Sequence, residues 1–464
     1  MKKDTIKRLM KILWKKYDYA SILYAKSTGK SYLVSAQGIQ ASQNSLFCQD
    51  GYVVRVLKSG VYAEYSFNHL TDDINDEIVE AIDKVYTIQT KLHGFNINHY
   101  QVPQEKALKN FTRNQFHQNP DECDDGVVIN KLTDARNYAL GLNDKIYDCR
   151  VGAQYQIYDK YFLSCEKELS QSVLWMTCNV FMMSKKDDII KSYYKAYSNR
   201  DGMAVLDKMK DDMPKVAQSV VDLLDAENII PGEYECICTP DVTGMIAHEA
   251  FGHGVEMDMF VKDRALAKNY IGKQVASELV TMHDGARSAI EVATYDFDDE
   301  GTLATDTIII EKGILKKGIC DRLSAQSLSC DATGNGRREN YQRKAYTRMT
   351  NTYFEGGHDS VEDMIKSIKY GFLLEDATCG MEDPKNWGIQ CMVNMAREIS
   401  DGKFTGKIYS PVVLSGYVPD LLKSISMMSE NVTLCGSGFC GKGYKEWVKV
   451  SDGGPYIKAR IRLG

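Results

Sequence analysis

The chain of 464 residues has only eight histidines, no long apolar run and no basic stripe. No stretch approaches the roughly 20 apolar residues of a membrane-spanning helix, so we expect no association with a membrane. The net charge of −6 argues against nucleic acid as a direct ligand. Residues 1–14 form a predicted amphipathic helix with lysines spread through it, which differs from an apolar export signal.

The thirteen cysteines include no Cys-x-x-Cys pair, so the sequence gives no sign of a structural zinc knuckle. Their odd number, in a large chain with no visible export signal, indicates reduced thiols and a cytoplasmic location. Cys236 and Cys238 alternate in a predicted strand, where we expect both thiols to be buried and unreactive.

Two of the eight histidines lie in one short motif, His-Glu-Ala-Phe-Gly-His, at residues 248–253. Imidazole is a common zinc ligand, and a glutamate beside a ligand histidine can act as the base for a metal-bound water. The alternative is a pair of unrelated polar residues on a partly exposed helix. The rarity of histidine in this chain favours the metal site.

The spacing of His248 and His253 is five residues, whereas the common zinc-protease motif His-Glu-x-x-His has a spacing of four. Positions five apart lie about 140° apart around an ideal helix, and positions four apart lie about 40° apart. A π-turn can absorb the extra residue, and Gly252 tolerates unusual backbone angles. The spacing therefore predicts a helix over about 242–257 with a wide turn or break near Gly252.

Hydrophobic periodicity predicts an α+β protein with two domains. Residues 1–231 are predicted to form a mixed α/β domain with an antiparallel sheet and long helices. Residues 232–464 are predicted to form a β-rich domain, with a barrel-like antiparallel sheet, that carries the motif helix. Pro231-Gly232, the strongest break in mid-chain, marks the boundary. Further predicted helices are 74–90, 127–142, 199–226 and 360–370, and predicted strands are 20–25, 31–35, 52–57, 61–67, two or three within 145–181, 234–238, 307–310, 314–320, 388–395, 407–414, 432–434 and 456–462.

A catalytic zinc ion usually takes three protein ligands and leaves a fourth position for water. Cys440 is a candidate for the third ligand, because residues 436–443 read Gly-Ser-Gly-Phe-Cys-Gly-Lys-Gly and the glycines let the backbone approach a site. The alternative is a free cysteine in a glycine-rich turn. Spacing alone leaves other candidates open, namely Glu256, Asp258, His283, His358 and Cys435.

Five segments of the second half occur in an order typical of one family. The first is residues 247–256, around the motif, and the last is Cys-Gly-Lys-Gly at 440–443. Between them are Asp-Asp-Glu-Gly-Thr at 298–302, Thr-Gly-Asn-Gly-Arg-Arg-Glu at 333–339 and Arg-Met-Thr-Asn-Thr at 348–352. Over about residues 233–464 the chain resembles the TldD/PmbA family of metallopeptidases, once described as modulators of DNA gyrase. The motif resembles that of the TldD branch, His-Glu-x-x-x-His.

The resemblance implies a zinc-dependent peptidase that acts on unfolded or linear peptides. It implies that His248, His253 and Cys440 bind Zn²⁺ and that Glu249 is the catalytic base, although iron and cobalt also accept such ligands. Arg337 or Arg338 could bind substrate or stabilise the oxyanion; the alternative is that they anchor loops through carboxylates.

The resemblance also implies a dimer that encloses the active site, formed with a second copy or with a family relative that lacks the motif. The alternative function is a non-catalytic partner or regulatory subunit of a TldD/PmbA-type complex. Because all three expected ligands are present, the peptidase is the stronger interpretation.

Overall fold

The computed structural model describes residues 2–43, 48–71, 75–93, 99–113, 118–443 and 446–464. Among these residues, none of the helices combines the length and the hydrophobicity that crossing a lipid bilayer requires. The α-helices are α1 (Lys3–Lys16), α2 (Asn75–His93), α3 (Asp125–Leu140), α4 (Ala204–Asp222), α5 (Pro240–Ile246), α6 (Met257–Val261), α7 (Arg322–Ser327), α8 (Val361–Lys366) and α9 (Val418–Lys423).

The first half of the chain builds one eight-stranded sheet. Its strands are β1 (Tyr19–Ser35), β2 (Gly38–Gln43), β3 (Gln49–Lys58), β4 (Val61–Phe67), β5 (Leu108–Arg113), β6 (Ile146–Leu163), β7 (Lys167–Lys186) and β8 (Ile189–Asn199). The order is β4-β3-β1-β6-β7-β5, with β2 on β1 and β8 on β7. All pairs are antiparallel except β5 with β7. Helices α1 and α2 bury apolar residues against one end of this sheet, and α3 and α4 against the other.

The second half is richer in strands, many of them short. They are β9 (Gly232–Cys238), β10 (Met282–Asp284), β11 (Thr307–Glu311), β12 (Ile314–Leu315), β13 (Gly336–Arg337), β14 (Tyr346–Thr347), β15 (Asn351–Phe354), β16 (Tyr370–Asp383), β17 (Gly388–Ser400), β18 (Lys403–Tyr409), β19 (Val412–Tyr417), β20 (Met427–Met428), β21 (Thr433–Cys435), β22 (Phe439–Lys442), β23 (Glu446–Lys449), β24 (Ser451–Gly454) and β25 (Ile457–Leu463).

Five of these strands close into a barrel in the order β16-β9-β25-β19-β17, because β17 pairs back onto β16. The pairs are antiparallel apart from β16 with β9. A six-stranded sheet, β12-β11-β10-β15-β24-β21, lies beside the barrel. Helix α5 contacts both, through β16 of the barrel and β24 of the sheet. The predicted α+β class and the barrel-like sheet of the second half are confirmed. The boundary at residue 231 stays a prediction.

Buried ion pairs connect the first sheet to the second half of the chain. Arg55 on β3 pairs with Glu64 on β4 and with Glu300, which is almost fully buried. Glu64 also accepts two hydrogen bonds of 2.9 Å from Arg338. Burial raises the pKa of Glu64, but Arg338 and Arg55 together lower it to about 2. The two halves therefore meet through charges that are compensated only in the folded chain.

Several predicted elements are confirmed and some need correction. The hairpin at Ser59-Gly60 forms, with positive φ at both residues. Residues 20–25 and 31–35 belong to one long strand, β1. The predicted strand 407–414 is in fact two, β18 and β19, divided at Pro411, which has no N–H to donate to a ladder. The predicted helix 360–370 ends at Lys366, and β16 begins at Tyr370. Residue 74, the predicted start of helix 74–90, lies outside the described residues.

Candidate metal centre and its cavity

The motif helix begins directly after β9 and changes its winding inside the motif. Helix α5 passes into a π-helix over Ala247–Gly252 and then a 3₁₀ turn over His253–Val255. The amide of His253 donates to the carbonyl of His248, the i to i+5 bond of a π-turn. The wide turn brings the two imidazole centroids to 5.1 Å. The predicted helix with a wide turn near Gly252 is confirmed.

Gly252 has ordinary helical angles, φ −61° and ψ −54°. Its lack of a side chain matters because a Cβ there would overlap the sulfur of Met349, which is fully buried. The glycine therefore permits the motif helix to pack closely on the segment before β15, and the unusual angles considered from the sequence are absent.

We expect Gly252→Ala to lower the free energy of unfolding by about 1–3 kcal/mol, because the added methyl group must displace Met349. Urea unfolding of the wild type and the variant measures this change. In Gly252→Ala/Met349→Ala the overlap is removed, so the two substitutions should be strongly non-additive. Equal losses with and without Met349 would contradict the packing explanation.

Cys440 lies on β22, opposite the motif helix. Its Sγ is 3.4 Å from Nε2 of His253, and the candidate ligand atoms of His248, His253 and Cys440 all lie within 4.8 Å of one another. Bonds of about 2.0–2.3 Å to a tetrahedral zinc ion separate the ligand atoms by about 3.5 Å. Two imidazoles and one thiol at these separations fit three positions around such an ion.

The β22–β23 hairpin is held in place by Arg348, whose side chain is almost fully buried. Its guanidinium donates to the carbonyl of Cys440 at 2.5 Å and to that of Glu446, on β23, at 3.0 Å. Lys442, two residues after Cys440, donates to Glu256 at 3.0 Å and to Asp258 at 2.7 Å. The hairpin is thus bonded to the same segment that carries the histidines.

A carboxylate lies near Nδ1 of each imidazole. Glu256 lies 3.2 Å from Nδ1 of His253, and Asp452 on β24 lies 3.9 Å from Nδ1 of His248. A carboxylate at hydrogen-bond distance, as at His253, orients a metal-binding histidine. The oxygen of Asp452 is too far from His248 for a hydrogen bond, and Nδ1 of His248 has no partner among the described residues. Burial raises the pKa of the Cys440 thiol, but His253 and His248 together bring it well below its usual range. The thiol therefore favours the thiolate form in which cysteine binds metals.

The other candidates for a third ligand do not join this group. Glu256 and Asp258 form ion pairs with Lys442. His283 lies between Asp306 and Glu355, with 2.8 Å to each, and Cys435 contacts Ser198. His358 is exposed. All thirteen cysteines are free thiols, and Cys236 and Cys238 are fully buried.

Arg337 and Arg338 lie away from the cluster, and their guanidinium groups form hydrogen bonds with other parts of the chain. Arg337 donates to the carbonyls of Met349 and Lys449 at 2.6 Å each, and Arg338 is bonded to Glu64 and to the carbonyl of Arg343. Neither lines the cavity at the metal ligands. These contacts support the alternative given in the sequence analysis, in which both arginines anchor loops and strands, and the substrate-binding role stays a prediction.

The cluster opens into a cavity of about 800 Å³. Glu249 lines it, with its side chain packed on the backbone of β16 at Gly380. Glu382, two residues further along β16, also lines it. Burial, with a smaller contribution from Glu256 and Glu249, raises the pKa of Glu382 to about 9. The sequence analysis missed Glu382 because its strand was not predicted, and an isolated acidic residue gave no other signal.

Two imidazoles and a thiolate, with a glutamate beside the first histidine and an open cavity, are typical of a metal-dependent hydrolase with one metal ion. The class that the fold and this centre indicate is therefore that of metal-dependent hydrolases, with candidate ligands on a π-turn and on a distant pair of strands.

Comparison with known proteins agrees with this class. The model of the PmbA/TldA metallopeptidase C-terminal domain matches residues 231–461. A metalloprotease of Methanocaldococcus jannaschii is 26% identical over 450 residues, which cover 95% of this chain and 96% of the relative. A protein of Saccharolobus solfataricus named a zinc metalloprotease TldD homologue is 24% identical, over 89% of this chain and 90% of its own.

The crystal structure of TldE from Thermococcus kodakarensis has the same fold, with a TM-score of 0.77 at 17% identity, covering 99% of this chain and all of that one. The chain belongs to the PmbA/TldD family of metallopeptidases. The resemblance stated from the sequence is confirmed.

Proposed function

We propose that the protein is a zinc-dependent peptidase that hydrolyses unfolded or linear peptides. The observation that carries this proposal is the convergence of His248, His253 and Cys440 in one cavity with Glu249. The curated relatives named metalloprotease and zinc metalloprotease support it.

In the proposed reaction, His248, His253 and Cys440 would hold the metal ion, and Glu256 would orient the imidazole of His253. Bound zinc lowers the pKa of its water and polarises the scissile carbonyl. Glu249 accepts the proton of the attacking water and then delivers it to the leaving amine. Both transfers need one carboxylate facing the cavity, and the position of Glu249 against β16 supplies it.

The size of the cavity supports a flexible substrate. About 800 Å³ holds a short stretch of chain, and a folded domain does not enter it. As part of the same proposal, the enzyme acts in the cytoplasm as a dimer, with a second copy or with a motif-lacking relative. Light scattering after size-exclusion chromatography tests the assembly.

Removal of the metal is expected to stop cleavage of an unstructured peptide. A chelator should abolish hydrolysis, and one equivalent of Zn²⁺ should restore it, because the ligands remain in place. Fluorogenic peptide cleavage measures both steps, and a stably folded protein serves as the resistant control substrate. Unchanged cleavage by a preparation shown to be free of metal would refute the proposal.

A further inference from the structure

Glu382 lines the cavity of the metal centre, but no group in the described part of the chain pairs with it. Both of its carboxylate oxygens are buried and lack a hydrogen-bond partner among the described residues. Such a carboxyl group is costly to bury. The other carboxylates around the cluster differ, since Glu256 and Asp258 share Lys442.

The backbone of the motif helix lets this carboxyl group approach it closely. Gly254, the residue after His253, has no side chain, and a Cβ there would lie 3.0 Å from Oε1 of Glu382. The indole nitrogen of Trp387 lies 3.7 Å from the position that a Cβ would take at Gly254. This nitrogen also lacks a hydrogen-bond partner among the described residues. A small polar subsite therefore lies beside the second histidine of the motif.

The position of this subsite relative to Glu249 follows from strand geometry. Glu249 packs on Gly380, and Glu382 follows two residues later on the same face of β16. Residues i and i+2 of a strand are about 6.5–7 Å apart. An extended peptide covers this length with about two residues. A substrate group that reaches Glu382 is then one or two residues from the bond that Glu249 helps to cleave.

The charges around Glu382 favour a cationic occupant. Glu249, Glu256 and Asp383 act on it as nearby negative groups, opposed by His253. Lys442, which also lines the cavity, is saturated by Glu256, Asp258 and the carbonyl of Thr347. Lys262 and Arg264 line the cavity too, and neither donates a hydrogen bond to Glu382. A positively charged nitrogen donates hydrogen bonds without accepting any, which matches two unpaired carboxylate oxygens.

We propose that Glu382 is a specificity-determining residue that binds a positively charged nitrogen of the substrate one or two residues from the scissile bond. This inference rests on the proposed peptidase function. The nitrogen belongs either to a free α-amino group or to a lysine or arginine side chain. Both sources offer the same chemistry, and the experiment below separates them.

The experiment uses four peptides that differ only at two places. The amino terminus is either free or acetylated, and the residue beside the cleaved bond is either lysine or norleucine. For the wild type we expect kcat/KM to be about 10- to 100-fold higher for peptides that carry the recognised charge. Acetylation removes the advantage if the α-amino group is bound, and norleucine removes it if the side chain is bound. Glu382→Gln should make the matched peptides equivalent.

Asp383→Asn is the matched control, because it removes one negative charge from the next residue, which is exposed. It should keep the wild-type preference. The zinc content of Glu382→Gln should equal that of the wild type and its unfolding temperature should be no lower, so that a lost preference is not a lost site. A wild type without preference, or a preference that survives in Glu382→Gln, would overturn the inference.

The failure of the peptidase itself gives a different result, since the wild type then cleaves none of the four peptides. In that case fluorescence anisotropy of labelled peptides still tests whether Glu382 binds the positively charged group. Tighter binding of the charged peptides to wild type than to Glu382→Gln supports the subsite, and equal binding rejects it.

Discussion

Glu249→Gln is expected to reduce peptide hydrolysis by about 10³-fold or more and to leave the metal content unchanged. Glutamine has nearly the shape of glutamate, so the packing on Gly380 is kept, but its amide does not accept the proton of water. General acid–base catalysis contributes about 10²–10⁴-fold, and in the proposed mechanism one carboxylate serves in both proton transfers. Steady-state kinetics of peptide cleavage and metal analysis of the same preparation measure the two quantities.

Glu256→Gln is the matched control, since it makes the same change seven residues later. Glu256 contacts Nδ1 of His253. Its loss should weaken metal binding by about 10- to 100-fold, and excess zinc should restore most of the activity. Excess zinc should not rescue Glu249→Gln. Normal cleavage by Glu249→Gln, in a preparation free of contaminating protease, would show that another group is the base.

Cys440→Ala is expected to lower the bound zinc from near one equivalent per chain to less than about a tenth. The variant keeps two imidazoles, and loss of a thiolate ligand removes much of the binding free energy. Mass spectrometry of protein purified without added metal measures the content. Zinc should also raise the unfolding temperature of the wild type but have little effect on the variant, because only the folded site binds it.

Cys435→Ala provides the control for a nearby thiol, because Cys435 lies outside the cluster and contacts Ser198. It should keep its zinc. Full zinc in Cys440→Ala would move the third ligand to another residue, and Glu256, Asp258 and His283, which the sequence left open, would be tested next. A wild type that stays empty after zinc is supplied would favour the non-catalytic partner that the sequence left as the alternative.

The local part of the site could be predicted from the sequence. His248, His253 and the intervening residues define the winding of one helix, so the mismatch between five residues and a regular α-turn predicted the π-turn. The prediction of Cys440 as the third ligand needed further information, because nothing in the spacing distinguished it from Cys435 or His283. The resemblance to the family selected it, and the fold then explained the choice by placing β22 opposite the helix.

The environment of the site could not be predicted, because it depends on contacts between distant strands. The strand β16 has a register shift between Ala377 and Cys379 and a positive φ at Asp376, so its apolar residues do not alternate regularly. Strand β16 was therefore not predicted, and Glu382 was not recognised as a residue of the site. Arg337 and Arg338 looked available for substrate, and only the folded chain shows the carbonyl and carboxylate groups that bind them.

His253 and Cys440 are 187 positions apart along the chain. The histidines follow the first strand of the barrel, and the cysteine lies only shortly before β25, which pairs with β9. A polypeptide still on the ribosome, with residue 440 not yet made, holds two of the three proposed ligands. Under the proposed function, its ability to cut peptides would arise only after β22 has been made and has folded against the motif helix. A growing copy that has not reached this stage would lack the complete proposed site and could not cut the unfolded chains around it, its own included.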